Sequence, residues 1–568
     1  MKRFYLTDKH MIINFSSMLC DSEVKVITSK TFEYVLAQYM RYARLHQDSV
    51  LIELKGVNSK MVVKTFQLLL LYRYEDIEKS HTHLDALLSK RDLFYRFTEN
   101  FYDYWRNLER YGILLGDKRF SGGYKSNELI HLSDAFNANI LSLYRSVAEK
   151  IRGDSYLVYR QLPAGINSSL MIYPHKFSNH PLYEKLQGFH FIQKTLIRPP
   201  FMIYSKANRR VGIFNETLEN PLKTIMLNRN DYMVYPIWVG SLLAFVYIHI
   251  DYLHHGVALS NLFQLAAYQE YVSRKPDLIM IYGSDEHESN LHYYKDLSQS
   301  IYIGIVSLDA SYDYFGYLKK MLLTLHNVHM LDHQHLPIHG SMVNILLQDG
   351  REKNVIVVGD SGAGKSETLE ALRTLGSRHI VNMRTVFDDM GVLVIENNQI
   401  FARGTETGAF VRLDDLESGY AYREIDRAVF LNPDQTNARV VLPISPYKFI
   451  NKNHKVDLFL YANNYEENKL GLKLFDQINE ALKVFKQGKR YAKGTTAEVG
   501  LVESFFANPF GPVQQQEQAN LLIDQYLSKL FNDHIDIGVL FTELGIVGRE
   551  KSGPRNASDK LLSYIINN

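Results

Sequence analysis

Asn354–Arg373, NVIVVGDSGAGKSETLEALR, is the stretch around which the chain is organised. Val355–Val358 is a run of β-branched residues, which predicts a buried strand. Gly359, Asp360, Ser361, Gly362, Ala363, Gly364, Lys365 and Ser366 follow and match G-x-x-x-x-G-K-(S/T) in full. The segment Glu367–Arg373 then favours helix. Strand, glycine loop and helix in that order make a phosphate cradle: glycines let successive backbone N–H groups turn onto an anion, and the helix N-terminus adds partial positive charge. In this pattern Lys365 reaches the β/γ-phosphates and Ser366 ligates a divalent metal, with Glu367 opening the helix. The reading is a site for a nucleoside triphosphate.

Outward from the loop, strand and helix patterns alternate. Arg439–Ile444, Val456–Tyr461 and Ile535–Phe541 read as strands, and Leu470–Lys486 and Glu517–Phe531 as helices. On the N-terminal side, Leu278–Tyr282 and Ile301–Ser307 are short apolar runs of strand type. Leu141–Arg152 reads as a helix ended by Gly153, and Ser155–Tyr159 as a strand. Residues 1–100 look mostly helical, with Ser59–Tyr74 at helical spacing and Leu93–Leu115 as an aromatic-rich continuation. The aromatic stripe Phe94, Tyr95, Phe97, Phe101, Tyr102 and Tyr104 reads as packing rather than a platform for stacked bases. The whole is an α/β pattern with a mixed sheet.

At 568 residues the chain is long enough for two or three domains, and 46% hydrophobic with 22% charged residues suits a folded protein. A net charge of +2 offers no electrostatic case for nucleic acid or an anionic membrane. A single cysteine, Cys20, fits a reducing cytoplasm, and the first residues read as no signal peptide. Met233–Ile250 is uncharged and nearly long enough to span a bilayer, but its Val, Ile, Tyr and Phe content, Pro236 and Gly240-Ser241 suit a pair of buried strands better. Histidines 326, 329, 333, 335 and 339 crowd before the loop without the spacing of a structural zinc set, and His249, Asp251, His254 and His255 form a second small group.

Beyond the loop, the chain resembles ATP-dependent phosphoenolpyruvate carboxykinase. Ser311–Leu323, SYDYFGYLKKMLL, is similar to the family's W-Y-G-G-E-M-K-K segment and sets Tyr314 at the substrate-carboxylate tyrosine and Lys320 at the metal lysine. His339, in LPIHGSM, follows Lys320 by the family's interval between metal lysine and metal histidine. VFDDMGVLV resembles G-D-D-E-H-G-W and sets the metal aspartate at Asp389; TNARVVLPI resembles N-T-R-x-x-Y-P-I and sets a phosphate-contacting arginine at Arg439. Weaker echoes extend the likeness over about residues 110–200 and 275–568.

The resemblance implies a carboxykinase-like α/β fold. Its parts are a helical accessory region at 1–100, a substrate-side α/β domain at 101–335 with an insertion at about 200–275, and a mixed-sheet P-loop domain at 336–568 that binds nucleotide and metal. It implies conversion of oxaloacetate and ATP to phosphoenolpyruvate, ADP and carbon dioxide, with Mn²⁺ on Lys320, His339 and Asp389, and Mg²⁺ on Ser366 and the nucleotide. Partners are then the nucleotide and a small carboxylate, with no nucleic acid and no membrane. If the chain forms an oligomer, residues 1–100 or the insertion supply the contact.

Four departures keep alternatives open, the broadest being that residues 1–100 and about 200–275 have no recognised counterpart in the family. Lys125, in GGYKSNELI, stands where the family's G-R-S-P has a substrate-binding arginine, and lysine lacks the planar fork for a carboxylate. The family's loop near the nucleotide is shortened after Glu503. The glycine loop is spelled G-D-S-G-A-G-K-S-E, as in HPr kinase/phosphorylase. The alternatives are a kinase of a small hydroxy compound or protein serine, and a nucleotide-binding regulatory protein without catalysis. The latter would need only the phosphate loop.

Overall fold

The computed structural model describes residues 4–16, 22–116, 124–155, 157–159, 162–178, 180–285, 291–360, 362–413, 416, 419–492, 500–503 and 515–568. It is a mixed α/β fold that divides into two compact units, one of 1–175 with 188–201 and one of 176–187 with 202–568.

In the first unit, the strand His10–Asn14 pairs in parallel with Glu109–Leu115, which pairs in parallel with Ser168–His175; Phe189–Ile197 closes this run antiparallel. Between the first two strands lies a helical excursion that includes Lys30–Leu45, Ser59–Leu71 and Arg91–Asn107, with Ser29 and Asn58 capping the first two. Phe94, Phe97 and Phe101 turn inward, and Phe32, Phe66, Trp105, Ile140 and Met171 join the same core. Residues either side of position 100 therefore share one core.

Two local expectations are corrected in type, and a third is extended. The helix in 93–115 ends at Asn107, and 109–115 is a strand buried on both faces through Tyr111, Ile113 and Leu114 and paired with strands on either side. Residues 157–159 form no strand: Leu157, Val158 and Tyr159 are exposed and meet no sheet. Leu141–Arg152 is the end of the longer helix Tyr124–Arg152, and Gly153 terminates it at φ +91°.

Two large sets of strands build the second unit, with the smaller sheet of Gly408–Arg412, Arg439–Pro443 and Val429–Leu431 beside them. Tyr232–Val239 and Leu242–His249 form an antiparallel hairpin, and the latter strand continues in parallel to Leu278–Ser284 and on to Ile301–Ser307. Every residue of Leu242–His249 is buried. The apolar stretch 233–250 is thus a hairpin in the sheet, as its residue types predict. Among the described residues no helix is long and apolar enough to cross a membrane.

In the other sheet, Glu352–Val358, Leu458–Asn463 and Asp536–Phe541 run in parallel. Ile356 and Val358 face a core with the helices Ile478–Gln487 and Gln516–Asn532, while Val355 and Val357 face one with Lys365–Leu375 and Ser552–Asn567. Helices cover both faces, which is why these strands read as unbroken apolar runs. The expected helix at 470–486 is instead an edge strand, Leu472–Leu474, followed by Ile478–Gln487, with Leu472 paired opposite Leu540.

Candidate functional site

The glycine loop leaves the strand Glu352–Val358 at the carboxyl ends of the three parallel strands. Gly362 and Gly364 take left-handed φ values of +77° and +88°, and a Cβ on Gly364 would lie 2.6 Å from Cβ of Thr542. Thr542 donates to the Ala363 carbonyl (2.6 Å) and the Asn464 amide to that of Gly362 (2.8 Å), so the loop is held by the ends of the neighbouring strands. Lys365 is buried, and its Nζ donates to the carbonyls of Gly359 (2.6 Å) and Asp360 (3.1 Å). Ser366 and Glu367 are exposed at the start of the helix, and Ser361 lies outside the described residues.

His339 is tied to this loop through the backbone. The Gly359 N–H donates to the His339 carbonyl at 3.1 Å, and the Gly340 N–H to that of Asp389 at 3.0 Å. Through side chains, His339 Nδ1 lies 3.5 Å from Oδ1 of Asp360 and Nε2 lies 2.8 Å from Oδ1 of Asp389. Asp389 Oδ2 accepts from Nζ of Lys319 at 2.5 Å, and that ammonium lies 3.1 Å from Glu406. At the other end, Arg490 grips Asp360 Oδ2 through Nε (2.9 Å) and Nη2 (2.7 Å). Acidic and basic groups thus alternate from Arg490 through Asp360, His339, Asp389 and Lys319 to Glu406.

The electrostatics follow from this order. Burial alone would raise the Asp389 carboxyl, but Lys319 and His339 hold it well below the ordinary value. Burial pushes Glu406 up to about 7 against the pull of Lys319. Burial also raises Asp388, which accepts from Ser341 (2.8 Å) and Ser366 (3.3 Å) and so sits beside the phosphate loop. Lys320 is pushed down to about 8, first by burial and then by the positive charge of Arg210.

Tyr314 and Arg439 meet on the other side of Lys319. Burial raises the Tyr314 hydroxyl, which interacts with Arg439 and Asn437, and Arg439 Nη2 donates to Asn437 at 2.9 Å. The Phe410 ring lies 5.4 Å from the Arg439 guanidinium and 5.7 Å from Lys319 Nζ. Five of the expected residues, Asp360, Lys365, Ser366, His339 and Asp389, therefore gather at the loop, and Tyr314 with Arg439 forms a pair linked to them by Lys319 and Phe410. Lys125 belongs to the helix Tyr124–Arg152 of the first unit, and its side chain lies outside the described residues.

No family model and no curated protein matches this chain.

Sequence reasoning missed Lys319, Asp388, Glu406 and Arg490. The first two had a visible signal: each is the first member of a doublet, Lys319-Lys320 and Asp388-Asp389, of which only the second was singled out. Glu406 and Arg490 reach the site by tertiary packing, and nothing local marks them.

The second histidine group divides. His249 stays with Asp251, whose backbone N–H it accepts at 3.2 Å, while His254 and His255 both place Nε2 2.9 Å from Oδ1 of Asp313. These three are buried, and their ligand atoms lie within 4.8 Å of one another, so they could hold a metal ion. Burial alone would raise Asp313, but the two imidazoles keep it well below the usual carboxylate range.

Of the histidines before the loop, His329 stacks on His333 at 4.0 Å, and His326 is fully buried, which pushes its pKa from 6.5 down to about 4. A depressed imidazole destabilises the fold as pH falls through the unfolded value towards the folded one, because the unfolded chain then binds more protons. Taking 6.5 and 4 as the two values, His326 alone should remove about 2 kcal/mol of stability between pH 7 and pH 5. Denaturant unfolding of wild type and His326→Leu at both pH values checks this. The loss on acidification should be smaller in the variant by that amount.

Proposed function

We propose that this protein is a nucleotide- and metal-dependent phosphotransferase of the phosphoenolpyruvate carboxykinase type, acting on oxaloacetate and ATP in the cytoplasm. The observation that carries the reading is His339, whose backbone joins the glycine loop and whose imidazole joins Asp360 to Asp389. Nucleotide phosphates and a divalent cation would thus be handled at one place, as phosphoryl transfer requires.

The donors fit the expected ions. Burial and Arg210 bring Lys320 within reach of the neutral amine that a metal needs, and His339 with Asp389 completes a mixed nitrogen and oxygen set suited to Mn²⁺. Ser366 beside Asp388 suits Mg²⁺ held with the nucleotide. The bound cations would supply Lewis acidity for the charge that builds on the enolate and the γ-phosphoryl group.

In this reading, loss of carbon dioxide from oxaloacetate breaks the bond from C3 to the departing carboxylate, and its electron pair becomes the enolate. The enolate oxygen attacks the γ-phosphorus as the bond to the β-phosphate oxygen breaks, giving phosphoenolpyruvate and ADP. Lys365 and Arg439 would offset the charge of the transferring group, and the Tyr314 hydroxyl would orient the substrate carboxylate. The lettering of the loop, shared with HPr kinase/phosphorylase, favours a hydroxyl acceptor as the second reading.

A substrate panel with Mn²⁺ and Mg²⁺ separates the two. ADP release should depend on oxaloacetate. Release with hydroxy compounds or a serine-bearing protein, and none with oxaloacetate, would select the kinase reading.

A further inference from the structure

The segment 204–214, between the short strands Phe201–Ile203 and Asn215–Glu216, has no regular structure, yet it is stitched along its length. The Lys206 and Ala207 N–H groups donate to the side chain (3.0 Å) and carbonyl (3.2 Å) of Asp313, and the Val211 N–H donates to the Tyr317 hydroxyl at 2.9 Å. On its opposite side, the Ser205 N–H donates to Asn432 at 2.8 Å and the Asn437 amide to the Asn208 carbonyl at 2.5 Å. The segment is a strap fastened to the start of the helix Phe315–Asp332 along one edge and to the approach to Arg439 along the other. His254 and His255 keep Asp313 ionised, which strengthens the first fastening.

Arg210 sits on this strap. Burial lowers its pKa, and the next residue, Val211, is fastened to the hydroxyl of Tyr317, whose ring lies 6.5 Å from that of Tyr314. One of its terminal nitrogens donates to the Gly212 carbonyl. Its Nε is buried and meets no hydrogen-bond acceptor among the described residues. Arg439 repeats the pattern, with Nε buried and unsatisfied and no carboxylate paired to it among the described residues. Each of these half-buried guanidinium groups keeps a buried Nε–H without an acceptor, a cost that an arriving anion would offset.

We propose that Arg210 grips a carboxylate of the acceptor in this site, with the strap 205–212 as its positioning element. The proposal rests on the carboxykinase reading and deepens it. A planar guanidinium with donors to spare matches a carboxylate, whereas a lysine at position 125 offers only a point charge. Arg210 would also explain how the chain manages without an arginine in GGYKSNELI.

Arg210→Lys and Arg210→Ala, with Lys125→Ala beside them, test this through oxaloacetate kinetics, ATP-dependent thermal stabilisation and calorimetry with oxalate as a planar carboxylate probe in the presence of Mn²⁺ and ATP. Losing a charge-assisted pair should lower kcat/KM for oxaloacetate by about tenfold or more in Arg210→Lys and remove oxalate binding in Arg210→Ala. ATP stabilisation should stay as in wild type, which shows that the variants fold. Oxalate binding and oxaloacetate kinetics unchanged in both Arg210 variants, in a wild type active on oxaloacetate, would overturn the role of Arg210 alone. A wild type that binds ATP and Mn²⁺ but neither turns over oxaloacetate nor binds oxalate would overturn the carboxykinase reading, and this proposal with it.

Discussion

Lys365→Ala should abolish the thermal stabilisation that ATP confers. Lys365 is buried, and its ammonium already donates to the carbonyls of Gly359 and Asp360, so it stands within the loop and not on its rim. A charge-assisted bond to a phosphate is worth roughly 1.5–3 kcal/mol, and this side chain would make more than one. Losing them should weaken ATP binding about a hundredfold or more. At fixed nucleotide the added stability then vanishes by mass action. Because alanine also leaves two loop carbonyls without their donor, the unliganded variant should melt somewhat lower, and Lys365→Met keeps the bulk while removing the charge. ATP affinity equal to wild type in both variants would show that the loop is not a nucleotide site.

Asp389→Asn should have the second largest effect, on metal binding and turnover rather than on nucleotide. Asp389 lies between His339 and Lys319, and its side chain is 29% exposed, so it is accessible from one side only. Asparagine keeps the shape but removes the charge that pairs with Lys319 and faces His339, and it offers a metal a much weaker oxygen ligand. Turnover should fall by about a thousandfold or more if the cation stabilises the transition state by several kcal/mol. Lys320→Ala and His339→Ala should likewise lose Mn²⁺ binding, while all three keep the ATP response. Full metal-dependent activity in all three would place the cation elsewhere, and the buried His254, His255 and Asp313 group would be the next to test.

Parts of this arrangement were legible in the sequence for plain physical reasons. The strand and glycine loop at 355–366 combine β-branched residues with glycines that the left-handed turns at Gly362 and Gly364 require. The apolar stretch at 233–250 could be read as two strands because its residue types suit sheets, and Gly240 turns between them at φ +55°. Where one periodicity ran into another, the reading failed: aromatic residues continue past Asn107, but the backbone changes from helix to strand there. At Leu157 and Val158, apolar character was mistaken for burial. The candidate site was legible at the loop and in the second member of each doublet, where the signal is local in the sequence. Arg210 was not, because it acts through a strap whose fastenings come from residues about a hundred and more than two hundred positions away in the chain.

The most direct measurement is the identity of the phosphorylated product. Phosphorus NMR of the protein with ATP, Mg²⁺, catalytic Mn²⁺ and oxaloacetate should show the γ-phosphoryl signal replaced by that of phosphoenolpyruvate, with one carbon dioxide released for each ADP formed. A preparation that binds ATP and Mn²⁺ yet yields no phosphoenolpyruvate, and instead moves the phosphoryl group to a hydroxyl acceptor or to none, would contradict the account.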